Sequence, residues 1–331
     1  MTRSDKAATN AADAAPRAGA QAGATRAASA MDADTAASMA RRARRSDHVA
    51  TGVLAVLVGV VCLLTAAMVV YILASGGTKM LDWSFLTSNP SDGGIGPEIF
   101  NSFYLLFLTL LISLPLSLGA AIFLTQYAPS GPVTTCIKTI IEVLSSLPSI
   151  VVGLFGFLVF VIKFGWQFSI IAGACALTMF NLPIMVRVIQ QALEAVPRGQ
   201  RDAGLAMGLT RWETTIHVLI PSAIPAIVTG VILSAGRVFG EAAALIYTAG
   251  QSAPAIDFTN FDITSASCPW NVFRPAETLA VHIWKLNSES VVTDAAAISA
   301  GTAAFLVACI LVFNILARII GRALEKKVTA A

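Results

Sequence analysis

Six long stretches with very few charged residues dominate this sequence. They occupy 49–73, 99–125, 139–162, 164–186, 222–248 and 295–317. Each exceeds the roughly 20 residues that a helix needs to cross a bilayer. Only 12% of all residues are charged, whereas a soluble domain carries about 25%. We therefore predict an all-α polytopic membrane protein with six transmembrane helices, and we exclude a disordered chain, a nucleic-acid binder and an ordinary cytosolic enzyme.

The distribution of positive charge predicts the orientation of these spans. If the N-terminus is cytoplasmic, seventeen of the 22 Lys and Arg residues lie inside. Four lie outside, namely Lys79, Lys163, Arg274 and Lys285. In membrane proteins the cytoplasmic segments carry an excess of Lys and Arg. We therefore expect the protein to lie in the cytoplasmic membrane with both termini in the cytoplasm.

Two polar tails flank the spans. Residues 1–48 are rich in Ala and low in complexity, which predicts a disordered cytoplasmic tail because too little apolar surface is available for a core. The basic run at 41–45 fits a topology anchor, with contact to anionic membrane lipid as the alternative. Residues 319–331 are predicted to form a short cytoplasmic C-terminal tail.

The connection at 189–221 is the one long cytoplasmic segment between spans. Gly208 interrupts its helical pattern, and Thr210-Arg211-Trp212-Glu213 then fits a capping box. In such a box the Thr and Glu side chains satisfy free N–H groups at the start of a helix. The sequence predicts a helix, a tight turn at Gly208, and a second helix leading into the fifth span.

This connection resembles the EAA loop of type I ABC importer permeases. Asp202-Ala203-Gly204 is followed by three residues and Gly208, and nine residues later by Val218-Leu219-Ile220-Pro221. The spacing matches the family pattern, while Asp, Gly, Val and Ile replace Glu, Ala, Ile and Leu. The resemblance implies the fold of that family over 97–318 and coupling to a cytosolic ATPase through 194–221. The residues it assigns to this coupling are Asp202, Ala203, Gly204, Gly208, Trp212 and Pro221.

Four further stretches resemble the phosphate permeases of the PstA family. They are GGIGPEIFNSFYLL at 93–106, EVLSSLPSIVVGLFG at 142–156, GRVFGEAAALIYTAG at 236–250 and NVFRPAETLAVHIWKLNSE at 271–289. This resemblance implies a second permease subunit like PstC, a homodimeric ATPase like PstB and an extracytoplasmic phosphate-binding protein like PstS. It also implies that ATP and magnesium are bound by the ATPase, with no cofactor in this chain.

Arg237 and Glu241 are the two charged residues deep within the fifth span. Ionisable groups there are costly and usually face a bundle interior or a wet cavity. Their i, i+4 spacing predicts that they share a helical face and can pair. The Arg guanidinium matches phosphate oxygens, which indicates an anion path, with Glu241 positioning Arg237 or accepting a protonated phosphate oxygen. The alternative is a buried ion pair that fixes helix packing.

Weaker candidates lie in other segments. Ser145 and Ser146 in the third span and Asn181 in the fourth are predicted to line the substrate path or, alternatively, to hydrogen-bond their own backbone or a neighbouring helix. Glu142 is placed within reach of Arg187. The outer loop at 249–294, helical in pattern over 275–290, is expected to receive a binding protein or to cap the bundle.

The sequence lacks the motifs of several functional classes. No GxxxxGK[ST] motif is present, so ATP binding by a P-loop is excluded. No metal site can be recognised, because none of the five cysteines falls in a CxxC pair. No acid–base constellation appears, so we predict a permease subunit of a phosphate importer rather than an enzyme. The alternatives are PstC itself, a permease for another oxyanion, and an autonomous ion-driven secondary transporter.

Overall fold

A computed structural model describes residue 44 and residues 47–129, 131–252, 254–289 and 294–329, with side chains described up to 326. The predicted tail at 1–48 lies almost entirely outside these residues. The chain divides into two units, Met1–Met68 and Val69–Ala331. In the described residues every regular element is helical and no strand occurs, so the predicted all-α class is confirmed.

Twelve α-helices are found in the described residues. The first, α1, covers Asp47–Met80. The others are α2 (Trp83–Thr87), α3 (Gly96–Ile122), α4 (Pro132–Ser145), α5 (Ser149–Gly156), α6 (Ile170–Glu194), α7 (Arg198–Ala206), α8 (Arg211–Thr214), α9 (Ile220–Phe239), α10 (Ala243–Ile246), α11 (Leu279–Glu289) and α12 (Ala295–Thr329). Three π-helical turns continue α3, α5 and α8, at Phe123–Tyr127, Phe157–Lys163 and Thr215–Leu219.

Five helical segments are long and apolar enough to span a membrane, and a bent pair forms the sixth candidate. The stretch expected as a third span at 139–162 is not one straight helix. It belongs to α4 and α5, which meet at 98°. Pro148 stands at this bend, lacks an N–H and disfavours the helical conformation of the residue before it, which explains why the helix breaks there.

The stretch expected as a fifth span at 222–248 also contains a break. Helix α9 ends at Phe239, and α10 starts only at Ala243. Gly240 lies at the junction and costs more backbone entropy in a helix than other residues. Glu241 then turns its side chain to the next helix, where Oε1 accepts from the N–H of Ala244 at 3.3 Å.

Within Val69–Ala331, α3 packs on α6, and α9 packs on both α6 and α12. Small residues allow two of these crossings. A Cβ built on Gly230 in α9 would lie 2.1 Å from Cγ1 of Val188 in α6. One on Gly321 in α12 would lie 2.3 Å from Oγ1 of Thr229. Glycines at such positions let membrane helices approach closely, and here they determine how α9 lies between its neighbours.

The segment predicted as an outer loop is bound to α3 through buried polar contacts. Burial lowers the pKa of Arg274 to about 10, so the guanidinium stays protonated at neutral pH. Its Nη2 donates to Oδ1 of Asn101 at 2.7 Å. Nδ2 of Asn101 donates to the carbonyl of Glu277 at 3.0 Å, and the N–H of Leu279 donates to Oγ of Ser102 at 2.9 Å. The helix expected within this loop is present as α11.

Candidate functional site

Arg237 lies at one end of a cavity beside α9. The cavity measures about 660 Å³ and runs along α9 from Ser222 to Arg237, a distance of about 22 Å for a helix rising ~1.5 Å per residue. Hydroxyl groups of Ser222, Thr229 and Ser234 line it, together with Glu325 of α12. The Arg237 side chain is exposed, so its donors are accessible to a solute.

An aromatic ring holds this guanidinium in place. The Cζ atom of Arg237 lies 4.4 Å from the ring centroid of Phe180 in α6, which is within the range of a cation–π interaction. A guanidinium that lies over a ring keeps its N–H groups in the guanidinium plane, where they remain available to planar or tetrahedral anions. The contact therefore orients the Arg237 side chain without using its hydrogen-bond donors.

The structure brings Asn181 to the same region. Ser234, one turn before Arg237, donates its hydroxyl to Oδ1 of Asn181, and both residues are buried. The Nδ2 group of Asn181 has no hydrogen-bond partner in the described structure. A buried amide donor without a partner is costly, and Asn181 itself does not line the cavity but contacts it through Ser234.

Glu241 does not pair with Arg237, contrary to the pairing inferred from their spacing. Among the described residues no ion pair joins the two side chains. The i, i+4 argument requires one continuous helix, and α9 ends between them at Phe239. Glu241 instead accepts from the N–H of Ala244 in the first turn of α10, and it does not line the Arg237 cavity.

Ser145 and Ser146 lie at the bend between α4 and α5. Their hydroxyls donate to the carbonyls of Glu142 and Val143, both at 2.7 Å. For these two serines the sequence allowed either a place in the substrate path or hydrogen bonds to the backbone, and the structure shows the hydrogen bonds to the backbone. Neither residue lines the cavity. The expected neighbour pair is also present, since Nη2 of Arg187 lies 3.3 Å from Oε1 of Glu142.

The segment between α6 and α9 has the predicted helix–turn–helix form. Helix α7 is followed by Gly208 at φ +85°, a conformation that suits glycine. Thr210 and Glu213 form the capping box in both directions, with Oγ1 of Thr210 accepting from the Glu213 N–H at 3.2 Å. A Cβ on Gly204 would lie 2.9 Å from Cγ2 of Thr214, which explains Gly at this position: α7 and α8 approach too closely for a side chain.

Apolar side chains project from this segment. Met207 is 83% exposed and Trp212 is 54% exposed, and Leu205 is also exposed. Asp202, Ala203 and Pro221 are exposed as well. Exposed apolar groups clustered around a tight turn are typical of a surface that a partner protein covers.

One hydrogen bond joins this segment to the cavity. Oγ of Ser222, which lines the cavity, donates to Oε1 of Gln200 in α7 at 2.9 Å. Gln200 and Arg237 therefore lie at opposite ends of one connected unit composed of α7, α8 and α9. A displacement of α7 has a direct physical route to the cavity lining.

A family profile described as "Binding-protein-dependent transport system inner membrane component" matches residues 113–330. The probable ABC transporter permease protein YqgI of Bacillus subtilis (strain 168) is 50% identical over 289 residues, which is 86% of this chain and 98% of that protein.

More distant relatives carry the name phosphate transport system permease protein PstA. The protein from Xylella fastidiosa (strain 9a5c) is 36% identical over 47% of this chain, and the one from Mycobacterium leprae (strain TN) is 34% identical over 55%. The chain spans 55% and 59% of these two relatives, so it matches little more than half of each.

Two solved transporters share the fold. A chain of the bacterial alginate ABC transporter, solved in complex with an alginate pentasaccharide-bound periplasmic protein, has a TM-score of 0.57, 15% identity and coverage of 86% of this chain and 96% of that one. A chain of the MetNI methionine ABC transporter has a TM-score of 0.55, 17% identity and coverage of 72% and 99%. The predicted fold of a type I ABC importer permease is thereby confirmed.

Proposed function

The chain belongs to the family of binding-protein-dependent transport system inner membrane components, and from this premise we propose that it is the PstA-type permease subunit of a phosphate importer. As a member, it is a multi-pass membrane permease of an ABC importer, which works with a separate ATPase and a substrate-binding protein. The identity of its substrate, and of each partner, is the content of the proposal.

The observation that carries the proposal is the accessible Arg237 guanidinium at the end of a cavity with hydroxyl groups. Phosphate presents several oxygens, and guanidinium binds such groups through two N–H donors at once. Ser222, Thr229 and Ser234 line the same cavity, and a hydroxyl can donate to a remaining phosphate oxygen when it rotates away from its present acceptor. The sequence stretches that resemble PstA permeases, and the partial PstA relatives, favour phosphate among oxyanions.

Arg237 acts in this proposal as the group that receives the anion within the membrane. Phe180 holds the guanidinium from one side, and Asn181 supplies an unused amide donor behind Ser234. Glu241 acts indirectly, because its carboxylate starts α10 and so contributes to ending α9 just after Arg237. Ser145 and Ser146 act at the α4–α5 bend rather than on the anion.

Coupling to ATP hydrolysis is assigned to the segment from α7 to α8. The exposed side chains of Leu205, Met207 and Trp212 would enter a cleft of a PstB-like ATPase dimer, which binds ATP and magnesium. Movement of α7 would reach the cavity through Gln200 and Ser222. With both termini cytoplasmic, the 249–294 segment faces outward, towards a PstS-like phosphate-binding protein, and a PstC-like subunit completes the pathway.

Phosphate uptake tests this assignment in cells that lack other phosphate carriers and express the chain with its partner subunits. We expect Arg237→Gln to abolish uptake nearly completely, because the charge is lost. Arg237→Lys should retain part of it, because the charge remains while the bidentate geometry is lost. Lys138→Gln, which removes an exposed cation on α4, is the matched control and should transport normally at equal membrane levels.

Two further measurements separate the alternatives. Because no ion pair joins Arg237 to Glu241, the double variant Arg237→Gln with Glu241→Gln should remain inactive. Recovery of uptake in the double variant would identify a structural pair and refute the anion-binding role of Arg237. Competition by excess sulfate or molybdate should leave uptake unchanged, and strong inhibition by either would assign the permease to another oxyanion.

A further inference from the structure

A second polar cluster lies far from Arg237, where the 249–294 segment packs on the start of α3. It consists of Glu98 in the first turn of α3, Glu277 just before α11, and His282 within α11. One carboxylate oxygen of each glutamate and one ring nitrogen of the histidine all lie within 4.8 Å of one another. The three residues are 1%, 3% and 6% exposed. Ionisable groups buried to this degree require partners.

The hydrogen bonds of this cluster orient the imidazole. Nδ1 of His282 lies 2.8 Å from Oε1 of Glu277. An ionised carboxylate can only accept, so Nδ1 carries a proton and donates it. In the neutral ring Nε2 then presents a lone pair, and Nε2 has no hydrogen-bond partner in the described structure.

The two carboxylates of the cluster differ in their partners. Nζ of Lys285 lies 3.0 Å from Oε2 of Glu277 and compensates that carboxylate. Neither carboxylate oxygen of Glu98 has a hydrogen-bond partner in the described structure, and no ion pair involves Glu98 there. Arg274, a buried cation of the same segment, donates to Asn101 instead.

Three buried polar atoms of this cluster therefore have no hydrogen-bond partner in the described structure, namely Nε2 of His282 and the two oxygens of Glu98. We propose that these atoms bind a divalent transition-metal cation, with Glu277 orienting the imidazole. Imidazole together with carboxylate suits zinc and its first-row neighbours. A metal-binding histidine commonly donates its other N–H to a carboxylate, as Nδ1 of His282 does here. The cation supplies the positive charge that Glu98 lacks.

Such a metal would join two parts of the chain that are distant in sequence. Glu98 fixes it to α3 and His282 fixes it to α11, so the ion cross-links the 249–294 segment to the helical bundle. The sequence gives no spacing motif for this site, because the two ligands are separated by most of the chain. Glu277 and His282 can be recognised as part of a metal site only in the folded structure, where the start of α3 lies beside them.

Zinc binding to the purified full-length chain in detergent tests the proposal. The chain carries an affinity tag without histidines, is treated with chelator, and is then dialysed against Zn²⁺. We expect about one zinc per chain, with stoichiometric binding lost in Glu98→Gln and His282→Gln. Glu277→Gln should weaken binding about 10–100-fold, as removal of an orienting partner does. The matched controls His217→Gln and Asp262→Asn alter exposed residues and should bind zinc normally.

Thermal unfolding distinguishes loss of the site from loss of the fold. Glu98→Gln removes an uncompensated buried charge, so without metal its Tm should equal or exceed that of the wild type. Zinc should raise the Tm of the wild type and leave that of Glu98→Gln unchanged. Co²⁺ should give weak visible bands without an intense near-ultraviolet thiolate band, since the ligands are nitrogen and oxygen.

Three results would overturn the proposal. The first is a wild-type chain that retains no stoichiometric zinc, which would assign the missing positive charge to a proton. The second is equal zinc binding by the wild type and Glu98→Gln. The third is an intense thiolate band with Co²⁺, which would place the metal on one of the five cysteines.

Discussion

Replacement of Gly230 by Ala tests whether the crossing of α6 and α9 positions Arg237 over Phe180. The new Cβ would lie 2.1 Å from Cγ1 of Val188, whereas carbon atoms in contact need about 3.5–4.0 Å. The two helices must therefore separate by more than about 1 Å, or Val188 must leave its rotamer. Overpacking of this kind costs ~1–3 kcal/mol.

The partner substitution predicts a specific rescue. Val188→Ala removes the clashing γ-carbon, and the Cβ at position 230 would then lie 3.4 Å from Cβ of residue 188, an ordinary contact. We expect the double variant to be more stable than Gly230→Ala alone, with a favourable coupling energy of ~1–2 kcal/mol. Phosphate uptake should follow the same order, because Phe180 and Arg237 lie on the two helices that the clash separates.

Thermal unfolding of the purified transporter in detergent is the assay, and Gly119→Ala is the matched control. A Cβ on Gly119, within α3, meets nothing within 4 Å, so this variant should gain ~0.5–1 kcal/mol from helix propensity. The reasoning is refuted if Gly230→Ala unfolds at the same temperature as Gly119→Ala. It is also refuted if Val188→Ala fails to restore stability to the Gly230→Ala chain.

Further predictions concern the coupling segment and the topology. Trp212→Asp places a charge on the exposed apolar surface and should reduce phosphate-stimulated ATPase activity of the assembled complex, whereas Trp212→Phe should preserve it; equal activity in both would exclude this surface as the docking site. Gly208→Pro cannot adopt the φ of +85° found there and should uncouple hydrolysis from uptake without changing membrane levels; intact coupling would show that the turn is dispensable. Cysteines at 199 and 266, both exposed, should be labelled from opposite sides of the membrane, with 199 inside, and the reverse pattern would invert the proposed orientation. Position 280 in the same outer segment is buried and is therefore unsuitable for labelling.

Local patterns were predicted well because their physical causes are local. The turn at Gly208 and the capping box of Thr210 and Glu213 depend on residues within a few positions of one another. The all-helical class follows directly from apolar length, because a lipid environment requires backbone hydrogen bonds to be satisfied within each segment.

Breaks within apolar stretches were harder to predict. By hydropathy, 139–162 and 222–248 are each one continuous apolar stretch, because Gly, Ala and Pro do not interrupt an apolar run. The bend at Pro148 and the end of α9 at Phe239 depend on which neighbouring helices cover the freed backbone groups. The expected Arg237–Glu241 pair failed for this reason, because spacing along a helix has meaning only while the helix continues.

Contacts between distant segments could not be inferred from a single sequence. Phe180 lies beneath Arg237, and Glu98 lies beside His282, only because α6 and α11 pack where they do. Asn181 stands out in the sequence as a polar residue within a span, whereas Phe180 resembles the other apolar residues there. Glu98 could not be recognised either, because the first turn of a helix is a common position for an acidic residue.

The π-helical turn at Thr215–Leu219 affects which insertions and deletions this part of the sequence can tolerate. It lies between the capping box of α8 and the cavity lining of α9, and π-turns of this kind accommodate an additional residue within a helix. Deleting one residue there would remove the extra residue and restore a regular helix, so Ser222, Ser234 and Arg237 would keep facing the cavity. Deleting one residue from a regular part of α9 would instead rotate everything beyond it by about 100°. A single-residue deletion is therefore expected to be tolerated better within the π-helical turn than within α9.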